Sequence, residues 1–301
     1  MNRFSIRDIE KLTGIKAHTL RVWEQRYQYD FSKRKEGGHR YYDGEDLKKI
    51  LRLSILYKRG NKISSLLEID QEQLASYCMQ DLNAGVYAEP FRQLLEAVSN
   101  FDEETFNQVV HLQILHIGLQ KTMLEIIFPL LNLIGNNWLC DRVIPAQEHF
   151  CSSLVMKKLL LAIDGLETEN AENARTVLLF TPIGESHEIP ILFMHYLLKK
   201  NGSKCVYYGK NANLHVLKDI CEVHHPSHLF FHLITHLDDR PLENYLQELL
   251  YHFPDKKIVA AGPALQNQSL PSHPSFTWLK DCEAMLKFSA ADQVNSLAPH
   301  Y

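Results

Sequence analysis

Glu185 and His187 flank one serine in the segment Gly-Glu-Ser-His, between an apolar run and an amphipathic one. A carboxylate that accepts a hydrogen bond from one imidazole nitrogen fixes the ring's tautomer and leaves the other nitrogen to bind a metal. The same pair also suits an ordinary solvated loop. Nearer the N-terminus, Thr19, Arg21, Arg26 and Tyr27 face outward on a helix whose buried candidates are Leu20 and Trp23. That helix is followed by Gly-Gly-His-Arg-Tyr-Tyr, residues 37–42. Such a surface offers cations and phenols to a polyanion. A third group, Trp138 with Glu148-His149, reads on its own as a core tryptophan and a surface pair.

The totals restrict the chemistry. The chain has 301 residues, enough for two or three domains with their own cores. Its net charge of -4 conceals an asymmetry: residues 1–70 carry 16 Lys and Arg against 10 Asp and Glu, whereas the remainder carries 16 against 26. A basic head on an acidic body is suited to meeting a polyanion with the head alone. The six cysteines are dispersed and form no Cys-x-x-Cys pair, as expected of free thiols in a reducing cytoplasm and not of a thiolate metal sensor. The start has no apolar signal region, and no run approaches the roughly 18 apolar residues of a membrane span. The expectation is a cytoplasmic protein with no membrane partner. No Ser/His/Asp set, P-loop or Gly-x-Gly-x-x-Gly stands out, so an enzyme is not expected.

These residues need elements to position them. Ser5 and Asp8 make an approximate capping box for a short helix that Gly14 ends. A second helix starts near Ala17, and Lys33-Arg34-Lys35 with residues 37–42 form a hairpin wing. Asp43 caps a third helix from Glu45 to Arg59. Residues 1–72 thus form a winged helix-turn-helix, whose second helix enters the major groove. Residues 80–166 carry helical apolar periodicity, punctuated at Asp102 and Gly135, and predict a bundle of about four helices. Residues 174–291 alternate strand and helix, with strands at Thr176–Phe180, Cys205–Tyr208, Leu229–Ile234, Lys257–Ala261 and Thr277–Leu279. That is a doubly wound, flavodoxin-like parallel sheet whose ligands bind outside the carboxyl ends of the strands. Residues 292–301 read as a tail.

The head, with Leu-Arg-Val-Trp-Glu-Gln-Arg-Tyr at residues 20–27 and Arg-Tyr-Tyr-Asp at residues 40–43, resembles the DNA-binding domain of the MerR family of bacterial regulators. The resemblance implies double-stranded DNA as partner, read as a pseudo-palindromic operator by a homodimer or higher oligomer, with RNA polymerase within reach at a promoter. It assigns Thr19, Arg21, Arg26 and Tyr27 to the recognition helix and Lys33, His39, Arg40 and Tyr41 to the wing.

The loops at Gly184–His187, Thr235–Leu237 and Ala261–Pro263, preceded by a helical bundle, resemble the cobalamin-binding module. The order of domains and the spacing of Trp138 to Glu148-His149 resemble the light-sensing MerR-type cobalamin regulators. That likeness implies adenosylcobalamin or another corrinoid as cofactor, with His187 as axial ligand of cobalt and Glu185 as the carboxylate behind it. Trp138, Glu148 and His149 would then line the upper face, and Thr235 and Gly262 would border the slot for the nucleotide tail. The chain departs from the pattern at Pro190, where glycine is usual, at Thr235 for serine, at Ala261 for the first glycine of a pair, and at Leu139, where photosensors tend to carry histidine. The expected function is a transcriptional regulator that senses a corrinoid. The alternative is a regulator whose C-terminal module has lost cobalamin and serves dimerisation or protein interaction.

Overall fold

The computed structural model describes residues 4–34, 40–58, 60–70, 73–74, 87–138, 145–167, 174–235, 237, 241–266 and 268–296. By packing, the chain divides into two compact units, Met1–Leu154 and Val155–Tyr301.

The first unit opens with helices α1 (Ile6–Thr13) and α2 (Ala17–Tyr27), strands β1 (Lys33–Arg34) and β2 (Arg40–Tyr41), and helices α3 (Gly44–Lys58) and α4 (Ile63–Leu67). The capping box is present in full: the Asp8 amide donates to Ser5 Oγ at 3.3 Å and the Ser5 amide to Asp8 Oδ2 at 2.7 Å. Gly14 ends α1 in the left-handed region at φ 70°, a conformation that glycine adopts without steric cost. Asp43 caps α3 through the amides of Glu45 and Asp46, both at 3.1 Å. Ile9, Leu20, Trp23, Tyr42, Ile50 and Leu53 are buried in one core. The wing strands pair antiparallel, Lys33 with Tyr41 and Arg34 with Arg40.

Helices α5 (Ala88–Ser99), α6 (Glu103–Thr122), α7 (Phe128–Trp138) and α8 (Pro145–Asp164) follow, with a π-helical turn at Met123–Ile127. Asp102 caps α6 by accepting from the Thr105 amide at 3.0 Å. Gly135 lies inside α7 and does not punctuate the chain; the break falls at Gly118, whose φ of 79° interrupts α6. The helical run Glu103–Gly135 is long and apolar enough by composition to cross a membrane, which corrects the expectation that no run approaches such a span. Phe106, Val110, Leu119, Met123, Ile126 and Leu130 of this run are buried within the protein, whereas Leu112 and Leu115 are exposed. The boundary between the two units falls inside α8.

The second unit holds β3 (Thr176–Pro182), α9 (Ile189–Lys200), β4 (Lys204–Ala212), α10 (Leu214–His224), β5 (His228–His232), α11 (Leu242–His252), β6 (Lys257–Ala261), β7 (Phe276–Leu279) and α12 (Cys282–Ser296). The strands form one parallel sheet in the order β4-β3-β5-β6-β7, the flavodoxin-like arrangement, with the reversal of strand order between β3 and β5. Alternate residues serve opposite faces: Leu178, Phe180, Phe231 and Ile258 pack with Leu217 of α10 and Leu246 of α11. Val177, Leu179, Phe230 and Val259 pack with Ile191 and Met194 of α9 and Phe288 of α12. Several boundaries differ from the sequence reading; β3 runs on to Pro182 and β4 to Ala212, past the expected Phe180 and Tyr208. β5 stops at His232, because the amides of Ile234 and Thr235 leave the ladder to bond a side chain. The last helix runs on to Ser296, five residues into the expected tail.

Candidate functional site

At the carboxyl edge of the sheet, the loop between β3 and α9 turns Glu185 inward. Its side chain is 1% exposed, while that of His187 is 46% exposed. One carboxylate oxygen of Glu185 accepts from the His187 amide at 2.8 Å and lies 2.5 Å from His187 Nδ1. The other accepts from the amides of Ile234 at 2.6 Å and Thr235 at 2.8 Å, and from Thr235 Oγ1 at 3.2 Å. A buried carboxylate this well supplied with donors stays ionised. Burial alone pushes the Glu185 carboxyl upward, but the hydrogen bonds from His187 and Thr235 outweigh it and hold its pKa at about 2.

The loop is pinned from the neighbouring edge strand. Thr181 Oγ1 donates to the Glu185 carbonyl at 2.6 Å. The Asn211 amide donates to Thr181 Oγ1 at 3.3 Å, and Asn211 Oδ1 accepts from the Gly184 amide at 3.1 Å. After His187, Glu188 accepts from Tyr207 Oη at 2.7 Å. Pro190 falls in the first turn of α9, where a missing N–H removes no helical bond, so the helix begins next to His187 despite the departure from glycine.

Gly262 follows β6 with φ 113°; a Cβ there would stand 2.1 Å from the Leu233 carbonyl oxygen and 2.9 Å from His232 Cε1. Gly262 thus packs against the loop after β5, and that loop is tied to His187 at Thr235 through Glu185. His236 lies outside the described residues, as do Leu139 and the side chain of Trp138, whose backbone closes α7. In the first turn of α8, His149 Nδ1 stands 3.7 Å from Glu148 Oε2, with the two side chains 80% and 40% exposed. Glu148 also accepts from Ser152 Oγ at 2.9 Å.

Sequence reasoning passed over His232, the last residue of β5. It is 8% exposed, and burial, countered in part by the nearby Glu185 charge, lowers its pKa to about 4. The signal was a polar residue ending the apolar run Leu-Phe-Phe.

In the head, Arg21 and Arg26 are exposed, and Thr19 and Tyr27 are half-buried. The Arg26 guanidinium lies 5.6 Å from the centre of the Tyr27 ring. Two wing cations have a second task. Arg40 Nη1 binds the buried Glu24 of α2 at 2.6 Å, and Lys33 Nζ is paired with Asp43 at the start of α3. Tyr41 is half-buried, and His39 lies outside the described residues.

Residues 4–73 match the family described as MerR HTH family regulatory protein, and residues 90–162 match the B12 binding domain. The chain therefore carries a MerR-type helix-turn-helix domain followed by a B12-binding domain. Among curated proteins this regulator is 26% identical over 228 residues to the HTH-type transcriptional repressor CarA of Myxococcus xanthus, covering 72% of this chain and 71% of that one. It is 25% identical over 214 residues to the HTH-type transcriptional repressor CarH of the same organism, covering 67% and 69%. Among solved structures, its B12-binding region resembles the monomethylamine corrinoid protein of Methanosarcina barkeri, with a TM-score of 0.53 at 13% identity over 68% of this chain and 98% of that one. That likeness speaks for the fold of the MerR-type chain's C-terminal part. The cofactor class that the B12-binding domain takes is a corrinoid.

Proposed function

We propose that this regulator binds an operator in double-stranded DNA through its MerR-type head, as a homodimer or higher oligomer, and that adenosylcobalamin or a related corrinoid controls that binding. The observation that carries the corrinoid part is the Glu185–His187 unit at the carboxyl edge of a flavodoxin-like sheet. With Nδ1 directed at a buried carboxylate, Nε2 is the nitrogen placed to act as axial ligand to cobalt. Among the described residues no group of three His, Cys, Asp or Glu could hold a metal ion, and a single imidazole suits a metal that arrives already held by a macrocycle. Ile183 and Ile234, three positions beyond the paired Phe180 and Phe231, are 49% and 38% exposed. Exposed apolar side chains in the two loops that Glu185 ties together fit the flat, partly apolar face of a corrin ring. When bound, the corrinoid supplies the cobalt coordination position that His187 would fill. The two curated relatives are named as repressors, and repression from a promoter-proximal site in the cytoplasm is the corresponding proposal here, with no catalytic role.

Ligand control of DNA binding needs a ligand that favours one assembly over another by a few kcal/mol. Pairing two heads on one operator makes affinity sensitive to such a shift, because the second head binds at high effective concentration. The deciding experiment mixes purified protein with adenosylcobalamin in the dark, followed by gel filtration and a gel shift on its own promoter DNA. Visible absorbance co-eluting with protein, together with corrinoid-dependent DNA retardation, is expected. Colourless, folded protein that still retards DNA would sink the sensor reading and leave a regulator whose C-terminal part serves assembly.

A further inference from the structure

His232 ends β5, the central strand of the sheet, with β3 on one side and β6 on the other. It thus ends beside the β3–β5 boundary, where the strand order reverses and where ligands of such sheets bind, with the loop that carries Gly262 on its other side. The ring's Cε1 lies 2.9 Å from the point a Cβ on Gly262 would take. The residue is 8% exposed, and its Nδ1 is buried with no hydrogen-bond partner among the described residues. A nitrogen in that state has given up its hydrogen bond to water for nothing in return. An apolar ring would fill the same space without that cost, as Phe230 does two positions earlier on the same face of the sheet.

We propose that His232 is a ligand-contacting, specificity-determining residue, whose imidazole supplies a hydrogen bond to a polar group of the corrinoid entering the crevice between Thr235 and Gly262. The nucleotide tail of a corrinoid carries sugar hydroxyls, each both donor and acceptor, so either imidazole tautomer can be matched. The inference rests on the corrinoid reading of the site and adds a second histidine to it, one that recognises the ligand's nucleotide tail and does not bind its metal.

The test uses the full-length protein and its variants H232F, H232Q and H232A. Two quantities are measured: affinity for adenosylcobalamin in the dark by absorbance titration, and melting of the ligand-free protein by circular dichroism. H232F, which keeps the ring and loses the nitrogens, should bind about three- to tenfold more weakly, the equivalent of one hydrogen bond. Its ligand-free melting temperature should be unchanged or higher. H232Q should recover part of the affinity. Equal affinity in H232F and the parent protein overturns the proposal, as does equal loss in H232F and H232Q. Tighter binding by H232A would also overturn it, by showing that the ring obstructs the crevice. A parent protein that takes up no corrinoid removes the functional reading, and this inference with it.

Discussion

Oε1 of Glu185 and Nδ1 of His187 lie 2.5 Å apart, while the other oxygen of the same carboxylate holds the amides of Ile234 and Thr235. One buried acid therefore fixes the orientation of a half-exposed imidazole and ties together the loops that follow β3 and β5. A ligand that pulls on His187 loads the same carboxylate that shapes the Thr235 loop. The coupling is local, and on the proposed function Glu185 serves both the stability of this edge and its binding of ligand.

The first consequence is a pH dependence of stability. Glu185 has a folded pKa of about 2 against an ordinary value of 4.5. Because folding lowers the value, the stabilisation is complete above about pH 4.5 and is lost as pH falls from there towards 2. The full span amounts to about 3 kcal/mol. Urea denaturation of the parent protein at pH 7 and pH 3 should show a loss that Glu185→Gln lacks. Parallel acid slopes in the two proteins would mean that this carboxylate does not carry the effect.

Separating the two partners gives a second expectation. His187→Ala removes the nitrogen proposed as axial ligand but leaves Glu185 with its bonds to Ile234 and Thr235, so the fold should hold and dark-bound corrinoid should lose the spectral signature of nitrogen coordination. Glu185→Gln keeps the imidazole but puts an amide where backbone donors expect an anion, at a cost of about 1–3 kcal/mol. It should weaken corrinoid binding and lower the melting temperature together. Absorbance spectra and melting curves of both variants check the split. An unchanged spectrum in His187→Ala would remove the axial assignment.

How much of this was legible beforehand follows from the range of the forces involved. The capping box of Ser5 and Asp8, the cap at Asp43 and the alternating apolar strands are short-range patterns, and each stands in the structure where the sequence places it. The pair Glu185 and His187 was visible because its partners are two residues apart. The bonds from Glu185 to Ile234 and Thr235 cross about fifty residues and depend on β3 and β5 becoming neighbours, which no local pattern encodes. The same holds for the Arg40–Glu24 pair. Reading residues one at a time sees Arg40 as a phosphate contact, whereas the fold gives its guanidinium a buried carboxylate to hold. Gly118 lies within the stretch whose periodicity is helical, and only backbone geometry shows it to be the break.

That pair leads to a third prediction, in the head. Arg21 is exposed on α2, so Arg21→Ala should weaken DNA binding, leave the melting temperature unchanged, and reduce the slope of log affinity against log salt by about one if it meets a phosphate. Glu24→Gln keeps every cation but loosens the wing from the recognition helix. It should lower affinity and melting temperature with little change in salt slope. Gel shifts across a salt series, with melting curves alongside, distinguish the two roles. Identical slopes in Arg21→Ala and the parent protein would take Arg21 off the phosphate.

Gly262→Ala tests the backbone at the sheet's carboxyl edge. The residue sits at φ 113°, a region that side chains strain to enter, and the added methyl group would stand 2.1 Å from the Leu233 carbonyl oxygen. That carbonyl is not free to retreat, because it accepts from the Ala264 amide at 3.2 Å while the Leu233 amide donates to Ala261 at 2.9 Å. Relief must come from opening the contact between the loops after β5 and β6. The expected cost is at least about 2 kcal/mol, from left-handed strain and a displaced hydrogen bond together. His232 and Thr235 lie next to this contact, so the shift should also lower corrinoid affinity more than the loss of stability alone accounts for. Denaturation and dark corrinoid titration of the same preparation measure both, and a variant as stable as the parent would show that these loops separate without cost.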